Sequence, residues 1–189
     1  MTERKFRNQN WKVARVVPAP VVSDLRRWAK IAMGHYIQAI VGSKHVLDSI
    51  QQRFGMSRVV ELSQGLFLLP VIEELYDALP STRDALTWEG EFHFRFLDSK
   101  VVALLKEASK ESAVAYVETE YFGGDGDQGA IVARDGTIVF GPAAGDGSIN
   151  AALRLIGATK EAAYDEFDAI GLSRFRNNED WVTQPRFGR

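Results

Sequence analysis

Cysteine is absent from the 189 residues, so neither a disulfide framework nor a thiolate metal site is available to hold the fold. No apolar run approaches the roughly 20 residues that a membrane-spanning helix needs. The opening Met1-Thr2-Glu3-Arg4-Lys5 has no apolar stretch behind it, which speaks against a secretory signal and for a soluble protein with a cytoplasmic address. Histidine is scarce: His35, His45 and His93 are the only three. They show no HExxH or clustered metal spacing, and no serine sits in a nucleophile elbow. The chain thus offers no catalytic residue, no cofactor motif and no metal-ligand set of a recognised type.

What is present describes a globular domain. Hydrophobic residues make up 46% and charged residues 25%, an ordinary balance, and the length suits one domain that buries on the order of 70% of its unfolded surface. Charge is unevenly spread. Residues 1 to 33 carry eight Lys/Arg against Glu3 and Asp24, a net +6, which leaves −8 for the rest of a chain whose net charge is −2. The cations are Arg4, Lys5, Arg7, Lys12, Arg15, Arg26, Arg27 and Lys30. A basic arm of this kind can contact nucleic acid, but it is dilute and broken by Pro18 and Pro20. Residues 1–32 therefore read first as a basic N-terminal extension that packs through Trp11 and Trp28. Residues 33–189 read as a single α+β domain with a docked C-terminal tail bearing Trp181 and Phe187.

Periodicity orders the domain. His35 to Val41 reads as a strand; Ser43 is positioned to cap a helix whose Val46, Leu47, Ile50 and Phe54 share a face, and Gly55 ends it. A strand region from Val59 to Leu69 follows, with Gly65 as a bulge or bend, and Pro70 is expected to open a helix that stops at Pro80. Phe92, Phe94 and Phe96 alternate with polar residues, as in a half-buried strand or an extended entry into a helix over 98–110. Three β-like runs cover Val114 to Phe140, and two short helices are expected near Asn150–Ile156 and Ala162–Ala169. The predicted architecture is a mixed, mainly antiparallel sheet with helices packed on it.

Two connections in the β-rich stretch differ in character. Arg134-Asp135-Gly136-Thr137 is a two-residue hairpin signal, because Asp-Gly tolerates positive φ. Gly123-Gly124-Asp125-Gly126-Asp127-Gln128-Gly129 holds four glycines and two carboxylates, more than a turn requires, and reads as a loop able to approach a ligand closely. Glu118 and Glu120 lie two apart on the preceding strand and share a face. With Asp125 and Asp127 they offer oxygen ligands for Mg²⁺ or Ca²⁺, which would make the protein a divalent-metal enzyme; the calcium-hand pattern itself is not completed by a closing Glu. Gly141 to Ser148, with Ser148 as a helix cap, is a weaker anion-binding candidate.

His35-Tyr36-Ile37, Gln64-Gly65-Leu66-Phe67-Leu68-Leu69-Pro70, Tyr121-Phe122-Gly123-Gly124 with Gln128, Ile149-Asn150, and Asp165-Glu166-Phe167-Asp168-Ala169-Ile170-Gly171-Leu172 together resemble a family of uncharacterised small bacterial proteins. The resemblance spans most of the chain after Met33 and brings no established activity. Such proteins are similar in size and character to the immunity partners of bacterial antagonistic toxins. The expected function is accordingly a protein-binding module, most concretely an immunity protein that neutralises a cognate toxin domain. Its expected contact residues are Tyr121, Phe122, Asp125 and Asp127, with Asp165, Glu166 and Asp168 as a second acidic surface. The alternatives are the metal enzyme and a nucleic-acid binder acting through the basic arm.

Overall fold

Strands of alternating and continuous apolar residues build the centre of the molecule. The structure is a computed structural model that describes residues 34–82, 86–122 and 125–183. β1 (His35–Gly42), β2 (Val60–Glu61), β3 (Phe67–Pro70), β4 (Val114–Phe122), β5 (Asp125–Arg134) and β6 (Thr137–Ala144) form one six-stranded sheet in the order β2-β3-β1-β4-β5-β6. All its strand pairs are antiparallel; among the described residues the one parallel contact is an isolated bridge from Tyr36 to Asn177. This is the α+β class expected, built on an antiparallel sheet.

Helices cover both faces, which is why β1 and β4 are buried over consecutive residues rather than alternate ones. On one face Ile40, Leu69, Val114, Tyr116, Ile131 and Ala133 pack against α1 (Lys44–Phe54), α2 (Glu73–Ala78), α3 (Ser99–Ala108) and the strap residues Phe96 and Leu97. On the other, Ile37, Ala39, Val41, Ala115, Val117 and Val132 meet α4 (Ser148–Leu155), the single turn α5 (Glu166–Ala169) and Trp181 of α6 (Asn178–Thr183). No helix among the described residues is long and apolar enough to cross a membrane.

Several local expectations are met at the level of backbone geometry. Asp135 and Gly136 both take positive φ, 51° and 74°, and join Arg134 to its partner Thr137 as a two-residue turn. Gly55 ends α1 in the left-handed region, where its N–H reaches the Gln51 carbonyl. Other expectations are corrected. Ser43 holds the cap position of α1 without a side-chain bond. Gly147, not Ser148, is the residue before α4, and Ser148 Oγ donates instead to the Gln128 carbonyl at 3.3 Å. Pro70 does not open a helix: it closes β3 opposite Ala39, a strand end where a missing N–H costs little. Val59 to Leu69 is a small hairpin, with Gln64 and Gly65 at positive φ between β2 and β3. The Phe92–Phe96 alternation forms no ladder and is an extended entry into α3.

β1 outlasts its neighbour. β3 leaves its edge after Pro70, and the vacated half is taken by residues 176–178: the Tyr36 N–H donates to the Arg176 carbonyl at 2.6 Å, and the Gln38 N–H to Asn178 Oδ1 at 3.1 Å. Asn178, itself buried, returns Nδ2 to the carbonyls of Gln38 and Val71. Side-chain amides thereby complete a ladder that the backbone alone leaves open. The N-terminal extension reading and the chain beyond Thr183, including Phe187, lie outside the described residues.

Candidate functional site

The described part of the glycine-rich segment is taken up by strand pairing, while Gly123 and Gly124 lie outside the described residues. Asp125 to Gly129 belongs to β5, with Phe122 opposite Asp125, Glu120 opposite Asp127 and Glu118 opposite Gly129. Two of its glycines answer to close packing. A Cβ on Gly126, at φ 155°, would fall 2.0 Å from the Glu120 carbonyl, and one on Gly129 would fall 2.3 Å from the Phe94 ring.

Opposite residues of an antiparallel pair share a face, so Glu120 and Asp127 are like charges side by side at the hairpin end. They are sustainable there because water reaches them: Glu120 is exposed and Asp127 half-exposed. Phe122 stands next to them at 87% exposure, the highest of any large apolar side chain described. Tyr121 points to the opposite face and is half-buried; burial first, then the negative charges of Asp146 and Asp127, push its phenol above the ordinary value. Asp146 lies on the β6–α4 connection, which the Gly145 N–H ties to the Gln128 carbonyl at 2.9 Å, on the Tyr121 side of the sheet. No Lys or Arg occurs among residues 34–36, 118–122, 125–129 and 144–148. Of the expected contact residues the structure therefore places Phe122, Asp125 and Asp127 on one face together with Glu120, and Tyr121 on the other, near Asp146. Asp146 was not legible as a neighbour, since it is far from β4 in sequence and carries no local signal.

Glu118 leaves this group. It is 2% exposed and accepts the N–H of Arg95 at 2.7 Å, the N–H of Phe96 at 2.9 Å and the Tyr116 hydroxyl. Burial raises its carboxyl above the ordinary value even though these hydrogen bonds pull the other way. Tyr116 is pushed well above its own, by burial first and then by the charge of Glu118. The four carboxylates expected to hold a divalent ion are therefore not assembled. Among the described residues no group of three or more acidic or imidazole side chains is placed to hold a metal.

The second acidic surface is largely committed inside the fold. Asp165 caps α5 by accepting the Asp168 N–H at 2.8 Å and receives Asn150 Nδ2 at 3.3 Å. Glu166 is buried and pairs with Arg154 of α4 at 3.0 Å, so it is not a surface contact as expected. Phe167 turns inward, its N–H on Asn150 Oδ1 and its ring edge-on to His35 at 5.3 Å. His35 in turn hydrogen-bonds Thr119. α5 is thus a clasp between α4 and the sheet.

Burial pushes the Glu166 carboxyl up, but its own backbone N–H and the Arg154 guanidinium outweigh this and hold it below the ordinary value of 4.5. A carboxyl lowered on folding stabilises above its unfolded pKa and loses that contribution as pH falls through the folded one. Glu166→Gln is therefore expected to cost on the order of 1 kcal/mol at neutral pH, reduced because Arg154 is 55% exposed. The cost should shrink as the solution is made more acidic than the ordinary carboxylate range. Urea unfolding of both proteins across that range checks it, and a cost that grows on acidification contradicts the assignment.

No protein-family model matches the chain, and neither a curated protein nor a solved structure matches it.

Proposed function

We propose that the chain is a protein-binding module that docks through the β4–β5 hairpin end onto a basic surface of its partner. The observation that carries this reading is the exposure of Phe122 beside a row of carboxylates that have no cationic partner among the described residues. Its ring is 87% exposed, Asp125 is its cross-strand partner, and Glu120 faces Asp127 one step along. A bare aromatic surrounded by one sign of charge has the character of an interface: the ring supplies buried area, and the charges steer approach. A bacterial toxin domain is the most concrete partner, with the chain as its immunity protein.

The test is kinetic. The full chain is used to retain its partner from native cells, and both proteins are then purified and their rates measured at two salt concentrations. Phe122→Ala is expected to raise the dissociation rate by about 30-fold, corresponding to roughly 2 kcal/mol for an anchoring aromatic. The pair Asp125→Asn/Asp127→Asn is expected mainly to slow association, more so at low salt. Unchanged kinetics in both would place the interface elsewhere.

A further inference from the structure

The chain enters the sheet beside the hairpin end. His35 pairs with Tyr121, so Gly34 lies one step beyond, at Phe122; a Cβ on Gly34 would fall 2.9 Å from the Tyr121 carbonyl oxygen and 3.8 Å from Cδ2 of the Phe122 ring. Glu120, Phe122, Asp125 and Asp127 share one face there. Glu120, Phe122 and Asp125 are exposed. Asp127 is half-exposed and uses Oδ1 to accept the Gln128 N–H at 2.7 Å.

The sequence that leads into Gly34 has the opposite character. Residues 25–33, which lie outside the described residues, hold Arg26, Arg27 and Lys30, no acidic residue, and Trp28 between the arginines and the lysine. Their distance from the carboxylates is bounded by the chain itself. One residue spans at most about 3.6 Å, so Lys30 is held within about 14 Å of Gly34 and Arg26 within about 29 Å. β5 lies two strand spacings, about 10 Å, from β1. All three cations are thus within reach of Glu120, Asp125 and Asp127. A short tether gives an effective concentration on the order of millimolar, which sustains contacts too weak to hold separate molecules together.

We propose that residues 25–33 occupy the hairpin end of their own chain, with Arg26, Arg27 and Lys30 on Glu120, Asp125 and Asp127 and Trp28 against Phe122. Three cations meet three carboxylates, and an indole meets the ring that the described residues leave 87% exposed. A partner with a basic surface then competes with this segment for the same carboxylates, so the segment sets how often the site is open. The intramolecular contact is independent of the protein-binding reading above; its effect on a partner rests on that reading.

The test uses the full chain, whose lack of cysteine lets Ser23→Cys carry a single nitroxide label. At low salt the label should broaden the amide signals of Glu120, Phe122, Asp125 and Asp127. The broadening should fall at least about threefold in the labelled Arg26→Gln/Arg27→Gln/Lys30→Gln chain and at about 0.5 M salt, where exposed charges are screened. Asp125→Asn/Asp127→Asn should produce the same loss from the other side of the contact. Equal broadening in the native and triple-variant chains, or broadening that ignores salt, overturns the contact. With the purified partner, the triple variant should bind at least about fivefold more tightly, the gain for a site that its own segment leaves open one fifth of the time. Unchanged affinity overturns the competition. Partner kinetics that ignore Phe122→Ala, with the label effect intact in the native chain, sink the protein-binding reading and leave the intramolecular contact standing.

Discussion

Glu118→Ala is expected to lower the unfolding free energy by about 3–5 kcal/mol, because it strips the acceptor from three donors at once. The reason lies in what is left behind. The carboxylate holds the N–H groups of Arg95 and Phe96 and the Tyr116 hydroxyl, and each buried donor deprived of its acceptor costs about 1–3 kcal/mol. Because those two N–H groups belong to the strap between Trp88 and α3, the loss should also free that strap, and with it the Trp88, Phe92 and Phe94 rings that pack edge to face. Glu118→Gln should cost about half as much: it keeps one acceptor but turns an NH₂ toward the remaining donors.

The pH dependence of this effect has a definite sign. A carboxyl raised by folding contributes stability that is fully present below its unfolded pKa and is lost as pH rises through the folded one. The advantage of the native protein over Glu118→Gln should therefore be largest below the ordinary value of 4.5 and decline above it, opposite to the trend for Glu166. Denaturant unfolding over that interval decides the matter, and an advantage that grows with pH would show that Glu118 is not held as a buried carboxyl.

Trp181→Ala should have a comparable effect, about 3–5 kcal/mol. Trp181 is fully buried, meets Phe175 edge-on at 4.9 Å, and lies under the Arg174 guanidinium at 5.4 Å. It fixes α6, and α6 carries the Asn178 that completes the edge of β1. The destabilisation should therefore be visible locally: amide exchange at Tyr36 and Gln38, whose N–H groups bond to Arg176 and Asn178, should accelerate before that of β4. Trp181→Phe should be milder, because the indole N–H has no acceptor among the described residues and its removal abolishes an unsatisfied donor. A loss under about 1 kcal/mol for alanine, well short of the range for a buried tryptophan, with protection unchanged at Tyr36, would show that α6 is dispensable to the sheet.

Where structure depends on neighbours in sequence, the chain declared it. Val46, Leu47 and Ile50 fall on one helical face and are buried there, Asp135-Gly136 takes the φ angles that its turn requires, and the three β-like runs from Val114 to Phe140 became β4, β5 and β6. These signals have periods of 2 and 3.6 residues or depend on single-residue φ preferences, so a short window contains them. Phe122, Asp125 and Asp127 were legible as a group for the same reason: they lie within six residues of one another, on two strands that pair. What a short window cannot hold is the identity of a distant polar partner. Glu118 and Glu120 look alike in sequence, yet one is sealed by Arg95 and Phe96 and the other stays wet. Glu166 and Arg154, Gln38 and Asn178, and Tyr121 and Asp146 are joined only when the helices and the sheet have packed. The glycines of 125–129, which suggest an open loop, are demanded by the Phe94 ring and the Glu120 carbonyl lying across them. Burial decides which charges must find partners and which face water; packing across the sheet, not local pattern, decides burial.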